Sequence, residues 1–355
     1  MTLNIDGREI GSEHPTYFIA DIAANHDGSL DRAKHLIHLA CEAGADAAKF
    51  QHFKAGSIVS SRGFSELQGN TSHQAKWDRD VVEVYDDAAV PDEWTEMLHA
   101  ECERFGITFL STPYNVDAVE MLDPLVPAFK VGSGDVDWYE HLEHIAQKGK
   151  PVLLAIGAAD FAEVECAVEV LQRWNANIAI LQCTTNYTGD EQNLDFVNLR
   201  VLSSLRERWP NLVIGLSDHT KAPEPVIGAV ALGARIIERH FTDDTTRPGP
   251  DHGFAMDPAG WADMVARTRT LERALGTSKK TIANNEIESA VVQRRALRFA
   301  RPLPAGYILT REDIDVLRPA TAGAITPPHI TEVVGRATVR SVEADEHIAW
   351  TDLSA

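Results

Sequence analysis

Eight short runs of β-branched and apolar residues alternate with longer segments whose apolar residues recur at helical spacing. This rhythm limits the possible folds more than any other feature of the chain. The runs fall at 17–22, 47–51, 108–112, 128–132, 152–156, 178–183, 213–217 and 235–240. Segments 30–43, with Ala33, Leu36, Ile37, Ala40 and Cys41 on one stripe, 160–174 and 257–275 read as helices. Parallel strands need a crossover across the sheet face, so eight such units in about 260 residues predict an α/β fold of the closed (β/α)8 type, a TIM barrel. An opening stretch at 3–10 reads as a small hairpin plug. Segment 53–90, rich in Gly, Ser, Asp and His, is too long for a simple connection and is expected to be an active-site loop.

The rhythm stops near Gly276. Residues 1–276 are read as the barrel domain, 277–292 as a polar linker and 293–355 as a compact β-rich module, too small to be robust by itself.

Charge narrows the class of partner. Lys and Arg number 33 against 53 Asp and Glu, a net of −20, which argues against nucleic acid and against an anionic membrane surface. A small anion remains possible if lysines and backbone N–H groups are focused in one cleft. No apolar run has membrane-spanning length, and the opening residues lack a basic segment followed by an apolar one, so a cytoplasmic location is expected. Cys41, Cys102, Cys166 and Cys183 show no metal or disulfide spacing and are expected to be free thiols.

In a barrel of this kind the chemistry sits at the carboxyl ends of the strands. There the chain places Asp21, Lys49 with Gln51, Ser111 with Thr112, Lys130 with Ser133 and Asp135, Tyr187, Ser217 with His219, and Glu238 with His240. Two lysines ending apolar strands would be desolvated at several kcal/mol without anionic partners, so they imply either a shared bound anion or barrel carboxylates. His219 and His240 end neighbouring strands and could converge on one cation. Each could equally be a hydrogen-bonded strand-end histidine, and two imidazoles need water or substrate oxygens to complete a shell. Such N/O ligation suits Mn²⁺, Co²⁺, Fe²⁺ or Zn²⁺ better than Ca²⁺. Glu238 shares the strand face of His240. Asp251, in RPGPDH, could serve the site or a turn.

Several longer segments carry a resemblance. ADIAANHDGSLDRAKHLI, AGADAAKFQ, FLSTPYNVDAVEML, FKVGSGD, CTTNY, GLSDHT, ALGARIIERHFTDDTTRPGPDH and the late LRP with GRATVRSV appear in this order over most of the chain. Together they resemble bacterial sialic acid synthases and their legionaminic and pseudaminic acid relatives, whose closing module is an antifreeze-like SAF domain of the β-clip type. The resemblance implies condensation of phosphoenolpyruvate with an open-chain N-acylated amino sugar, N-acetylmannosamine or a 2,4-diacetamido analogue. It also implies Mn²⁺, with Mg²⁺ or Co²⁺ as alternatives, on His219 and His240. Lys49, Ser111, Lys130, Ser133 and Ser217 would hold phosphoenolpyruvate. Asp21, Glu238 and Asp251 would face the sugar, and Tyr187 and Arg318 its acylamino group. Arg318 would reach the active site of a partner subunit in a domain-swapped homodimer. Gln51, Asn70 and Thr112 join the substrate-binding set, and Asp21, Asp135 and Glu238 the catalytic one.

The chain departs from the family pattern at Asp21 and Asp135, where Glu is usual, and at Gln182 of QCT. A carboxyl displaced by about 1 Å can cost on the order of 100-fold in rate unless the pocket compensates. Two other readings stay open. One is condensation of phosphoenolpyruvate with another aldose or an aldose phosphate, of the octulosonate type, in which Arg239, Arg247 or Arg318 would bind the phosphate. The other is a non-catalytic sugar-binding homologue.

Overall fold

The computed structural model describes residues 2–67, 74, 77 and 79–355. The chain divides into two compact units, Met1–Gly276 and Thr277–Ala355.

The first unit opens with strands β1 (Thr2–Ile5) and β2 (Arg8–Gly11), paired antiparallel with Leu3 opposite Ile10. Asp6 and Gly7 connect them with φ of 53° and 77°, both left-handed, as a two-residue turn matching the twist of a hairpin requires. Eight parallel strands follow: β3 (Tyr17–Asp21), β4 (Ala47–His52), β5 (Thr108–Pro113), β6 (Phe129–Val131), β7 (Val152–Ala155), β8 (Ile178–Cys183), β9 (Val213–Asp218) and β10 (Ile236–His240). Their hydrogen-bonded order is β5-β4-β3-β10-β9-β8-β7-β6, so first and last strands pair and the sheet curls into the expected TIM barrel. Between β5 and β6 no ladder forms among the described residues, although these edges lie side by side.

Alternation along the strands makes two cores. Side chains pointing inward, Ile19, Ala47, Leu110, Ala128, Leu153, Leu181 and Ile236 among them, form one cluster that Leu3, Ile5 and Ile10 of the hairpin complete. Residues of the opposite parity, such as Phe18, Phe50, Phe109 and Ile214, meet the helices. Leu30–Glu42 buries Ala33, Leu36, Ile37 and Ala40, the stripe read from its sequence, and Ser29 caps it by accepting the Arg32 N–H. Phe161–Gln172 begins with a reciprocal Asp160/Glu163 capping box. Segment 53–90 differs from the expected open loop: it carries short helices at Ala55–Ile58, Ser61–Glu66 and Val81–Ala88. Among the described residues no helix is long and apolar enough to cross a membrane.

The second unit has its own apolar core, including Leu297, Phe299, Leu309, Ile325, Val333 and Ile348. It contains the antiparallel pair β11 (Ala296–Phe299) and β12 (Ile314–Leu317) with isolated bridges such as Leu303 to Val342. The span read as linker is partly ordered, with a turn at Asn284–Glu286 leading into the helix Ile287–Val292.

Candidate active site

Strand register sets the floor of the site. Asp21 lies opposite Lys49 on one side and His240 on the other, and Glu238 lies opposite Ser217. Residues in register share a face, so all five side chains point into the barrel mouth.

The two buried lysines each have a carboxylate. Lys49 Nζ is 2.7 Å from Asp21 Oδ2 and 3.4 Å from Thr112 Oγ1, and Gln51 Nε2 donates to the same Asp21 oxygen at 3.0 Å. The Ala23 N–H donates to Asp21 Oδ1 at 3.1 Å, so the shorter Asp found here in place of Glu is fully engaged. Lys130 Nζ is 3.1 Å from Glu238 Oε1, which also accepts from Ser217 Oγ at 3.1 Å. Burial works against the Glu238 charge, but Lys130 and Lys49 outweigh it and hold this carboxyl down to about 2. The same balance keeps the Lys130 ammonium above its ordinary value: burial opposes the charge, and Glu238 and Asp21 overcome it. Glu238 Oε2 is buried without a hydrogen-bond partner. The lysines are therefore neutralised by barrel carboxylates, while an unused carboxylate oxygen and the Ser133 and Ser217 hydroxyls remain in the cavity.

His219 and His240 bring their ring centroids to 5.3 Å. Burial, followed by the neighbouring imidazole for His219 and by Lys49 for His240, pushes both down to about 3, so each ring is neutral near pH 7 and carries a free lone pair. His219 Nδ1 faces the Thr184 carbonyl at 3.2 Å. His240 Nδ1 is buried without a hydrogen-bond partner, 3.8 Å from Asp251 Oδ2. Two neutral imidazoles, one with an orphaned nitrogen, fit a divalent ion of the Mn²⁺, Co²⁺ or Zn²⁺ kind. Among the described residues no group of three His, Cys, Asp or Glu side chains is poised to hold a metal. Asp21 Oδ2 lies 3.6 Å from His240 Nε2 and is engaged by Lys49 and Gln51. Tyr187 stands edge-on to His219 with centroids 4.5 Å apart.

These groups open onto one cavity of about 390 Å³. Of the residues expected from sequence, Asp21, Gln51, Lys130, Ser133, Asp135, Tyr187, Ser217, His219, Glu238, His240 and Asp251 line it. Ser133 Oγ accepts the Gly157 N–H at 2.9 Å. Burial raises Asp135 to about 6 and Asp251 to about 7, and Asp251, which lines the cavity, accepts the Ala24 N–H at 3.1 Å.

Ser111 is a correction. It has the parity of Phe109 and faces the helices, where its hydroxyl donates to the Phe50 carbonyl at 3.0 Å and meets His52 Nδ1 at 2.7 Å. Thr112 has the inward parity. Arg239 likewise points outward, to Asp218 at 3.4 Å, and Arg247 pairs with Asp243, so neither offers a phosphate an unpaired guanidinium. Asn70 lies outside the described residues. Arg318 belongs to the second unit and is exposed. Sequence reasoning missed Tyr114, Thr185, Cys183, Phe53, Trp77 and Tyr85, all of which line the cavity. Tyr114 sits two residues past Thr112, a spacing that could have revealed it, and the Thr185 hydroxyl is buried without a partner.

Residues 36–280 match the NeuB family, and residues 294–354 match the SAF domain. The chain belongs to the NeuB family. Within it, this member is 32% identical to the N,N'-diacetyllegionaminic acid synthase of Legionella pneumophila, covering 97% of this chain and 96% of that one. It is 34% identical to human N-acetylneuraminate-9-phosphate synthase, covering 96% and 94%. The crystal structure of the N-acetylneuraminic acid synthetase of Leptospira borgpetersenii, in complex with citrate, superposes on this NeuB-family chain with a TM-score of 0.71. It is 29% identical and covers 81% of this chain and 95% of that one.

Proposed function

We propose that this NeuB-family protein is a nonulosonic acid synthase that joins phosphoenolpyruvate and water to an open-chain N-acylated amino sugar, releasing phosphate. The observation that carries this reading is the juxtaposition, on one cavity floor, of the Lys130–Glu238 pair with two neutral histidines. The synthases among its relatives support it.

His219 and His240 would hold a divalent ion, Mn²⁺ by preference, which when bound supplies Lewis-acid polarisation of the aldehyde oxygen. Lys130 and Lys49 place positive charge where the carboxylate and phosphate of phosphoenolpyruvate must lie. The Ser133 and Ser217 hydroxyls and the glycine backbone at Gly132 and Gly134 let oxygens approach closely. C3 of the enol then forms the new C–C bond with the aldehyde carbon, and water adds to C2. Glu238, through its unpartnered Oε2, takes one proton from that water and delivers it to the oxygen of the former aldehyde, and the C2–O bond to phosphate breaks as the C2 hydroxyl loses its remaining proton to the departing phosphate, leaving the keto acid. Asp21, fixed by Lys49 and Gln51, orients the sugar hydroxyl nearest the aldehyde. The same reading takes the working form as a domain-swapped homodimer in which the partner's Arg318 completes the acylamino pocket.

Incubation with Mn²⁺, phosphoenolpyruvate and N-acetylmannosamine or 2,4-diacetamido sugars should release phosphate and form a 2-keto-3-deoxy acid in equal amounts. Absence of turnover with every sugar would leave a sugar-binding role. His219→Ala and His240→Ala should each weaken Mn²⁺ binding at least 10-fold by calorimetry while melting within a few degrees of the parent.

A further inference from the structure

A second cavity, of about 490 Å³, lies at the end of the barrel opposite the active site. Val213 and Ile214, which open β9, and Arg235, which immediately precedes β10, form part of its wall, with Gly11 and Ser12 where the hairpin ends. The helix Val201–Arg208 closes one side with Ser203 and Arg206, and Trp209 and Pro210 add an apolar patch. None of these residues belongs to the site at the barrel mouth.

Two guanidinium groups border this cavity, and both are fixed. Arg206 Nη1 donates to the Leu232 carbonyl at 2.9 Å, and Arg235 Nη1 donates to the Ala234 and Val230 carbonyls at 2.8 and 3.4 Å. Each side chain is thereby pinned to the same turn, which joins the helix Glu224–Ala231 to β10. Gly233 makes room for this. Its φ is +100°, and a methyl group there would sit 2.7 Å from Arg206 Nη1 and 2.9 Å from its Cζ, so glycine lets the guanidinium lie against the backbone.

Like charges held close together call for a counter-charge. Burial pushes Arg235 below its ordinary value and Arg206 pushes the same way, against Glu272 and Glu13. Glu272 is already engaged, by Arg269 at 3.0 Å and by the Thr16 N–H at 2.6 Å. Glu207 stands on the rim of the cavity, yet among the described residues no carboxylate pairs with either arginine, and Arg235 Nε is buried without a hydrogen-bond partner. In a chain with 53 acidic residues against 33 basic ones, two anchored and unpaired arginines at one cavity run against the general field. A phosphate group supplies what they lack, because its oxygens accept from two guanidinium forks at once. The hydroxyls of Ser12 and Ser203 add donors, and Trp209 and Pro210 offer apolar surface to an organic remainder.

We infer that this cavity binds a small phosphate-bearing anion, gripped between Arg206 and Arg235. The phosphate is either inorganic or that of a phosphomonoester whose organic part rests on Trp209 and Pro210. The site is separate from the barrel mouth, and the inference stands or falls independently of the synthase reading.

Calorimetry on the full chain with two probes, phenyl phosphate and inorganic phosphate, tests it. Arg206→Gln and Arg235→Gln should each weaken phenyl phosphate binding by about 10-fold or more while melting within a few degrees of the parent. Arg206→Lys, which keeps the charge but not the fork, should lose less than Arg206→Gln. Arg206 is exposed, so its variants remain decisive if Arg235→Gln fails to fold. Phenyl phosphate binding about 10-fold tighter than inorganic phosphate marks the occupant as an organic phosphomonoester, whereas equal affinities, both lost in Arg206→Gln, mark it as the bare oxyanion. Absence of binding by the parent, or an affinity for both probes that Arg206→Gln leaves unchanged, overturns the inference, since phosphate taken up at the barrel mouth alone does not involve this arginine.

Discussion

The Glu238 carboxylate lies between two duties, since the same side chain neutralises Lys130 and offers a free oxygen to the cavity. Glu238→Gln keeps a group for Ser217 to donate to but removes the counter-charge. Removing one partner of a buried pair costs about 3 to 5 kcal/mol, and Lys130 should turn fully toward an anionic ligand. Phosphoenolpyruvate should therefore bind to Glu238→Gln at least as tightly as to the parent by calorimetry, protecting it in thermal melts, while kcat falls about 100-fold or more. Asp135 makes a second test. Its carboxyl is raised from 3.8 to about 6, first by burial, against the lowering effect of Lys130. Between those values the unfolded chain gives up its proton and the folded chain keeps it, so stability declines as pH rises through this window. Asp135→Asn removes the decline. The variant should melt higher than the parent at pH 8, by about 1 kcal/mol once solvent screening of a partly exposed group is allowed for, and the gain should vanish near pH 4. Residue types at strand ends were legible in the sequence, but their direction was legible only where parity was counted. Lys49, Gln51 and Thr112 follow the inward alternation, whereas Ser111, expected from its place at a strand end and from the resemblance, is one position out of step.

At the scale of elements, continuous apolar runs set between segments of helical period located every barrel strand, because each strand buries both faces against apolar neighbours. Segment 53–90 hid its helices for the opposite reason. Its apolar residues are few, they line a cavity rather than a core, and their spacing carries no clean period. Backbone approach was legible only in part, as glycines at strand ends. A methyl group on Gly157 would sit 2.5 Å from Thr185 Oγ1, 3.0 Å from Ser133 Oγ and 3.1 Å from Cys183 Sγ. Gly157→Ala should therefore cost about 1 to 3 kcal/mol in stability. By displacing Ser133 it should also raise KM for phosphoenolpyruvate more than that for the sugar, which steady-state kinetics with each substrate varied in turn would resolve.

For the whole molecule, the partition at Gly276 and Thr277 was legible as the end of the strand–helix rhythm, whereas the ordered helix Ile287–Val292 was masked by a polar, low-periodicity stretch. Residues 273–289 are exposed throughout, and Lys279 and Lys280 lie within them. Brief trypsin treatment should cut there first, giving two fragments whose masses add to that of the chain. The swapped homodimer has a sharper test. Neither His240→Ala nor Arg318→Ala should be active alone, yet mixing the two under conditions that exchange subunits should restore turnover, because one barrel in the mixed dimer then has both its histidine and the partner's Arg318. No recovery would place the arginine's action within its own chain.

Among the described residues, neighbouring strands of the barrel are laced together by peptide hydrogen bonds everywhere except between β5 and β6. Those two strands carry Thr112 and Lys130, so the seam runs directly under the place where phosphoenolpyruvate would rest. A hoop left unfastened at one join parts there first. Deuterium should accordingly enter the amides of β5 and β6 sooner than those of β9 and β10, and a bound anion bridging Thr112 to Lys130 should slow that entry more than it slows any other strand.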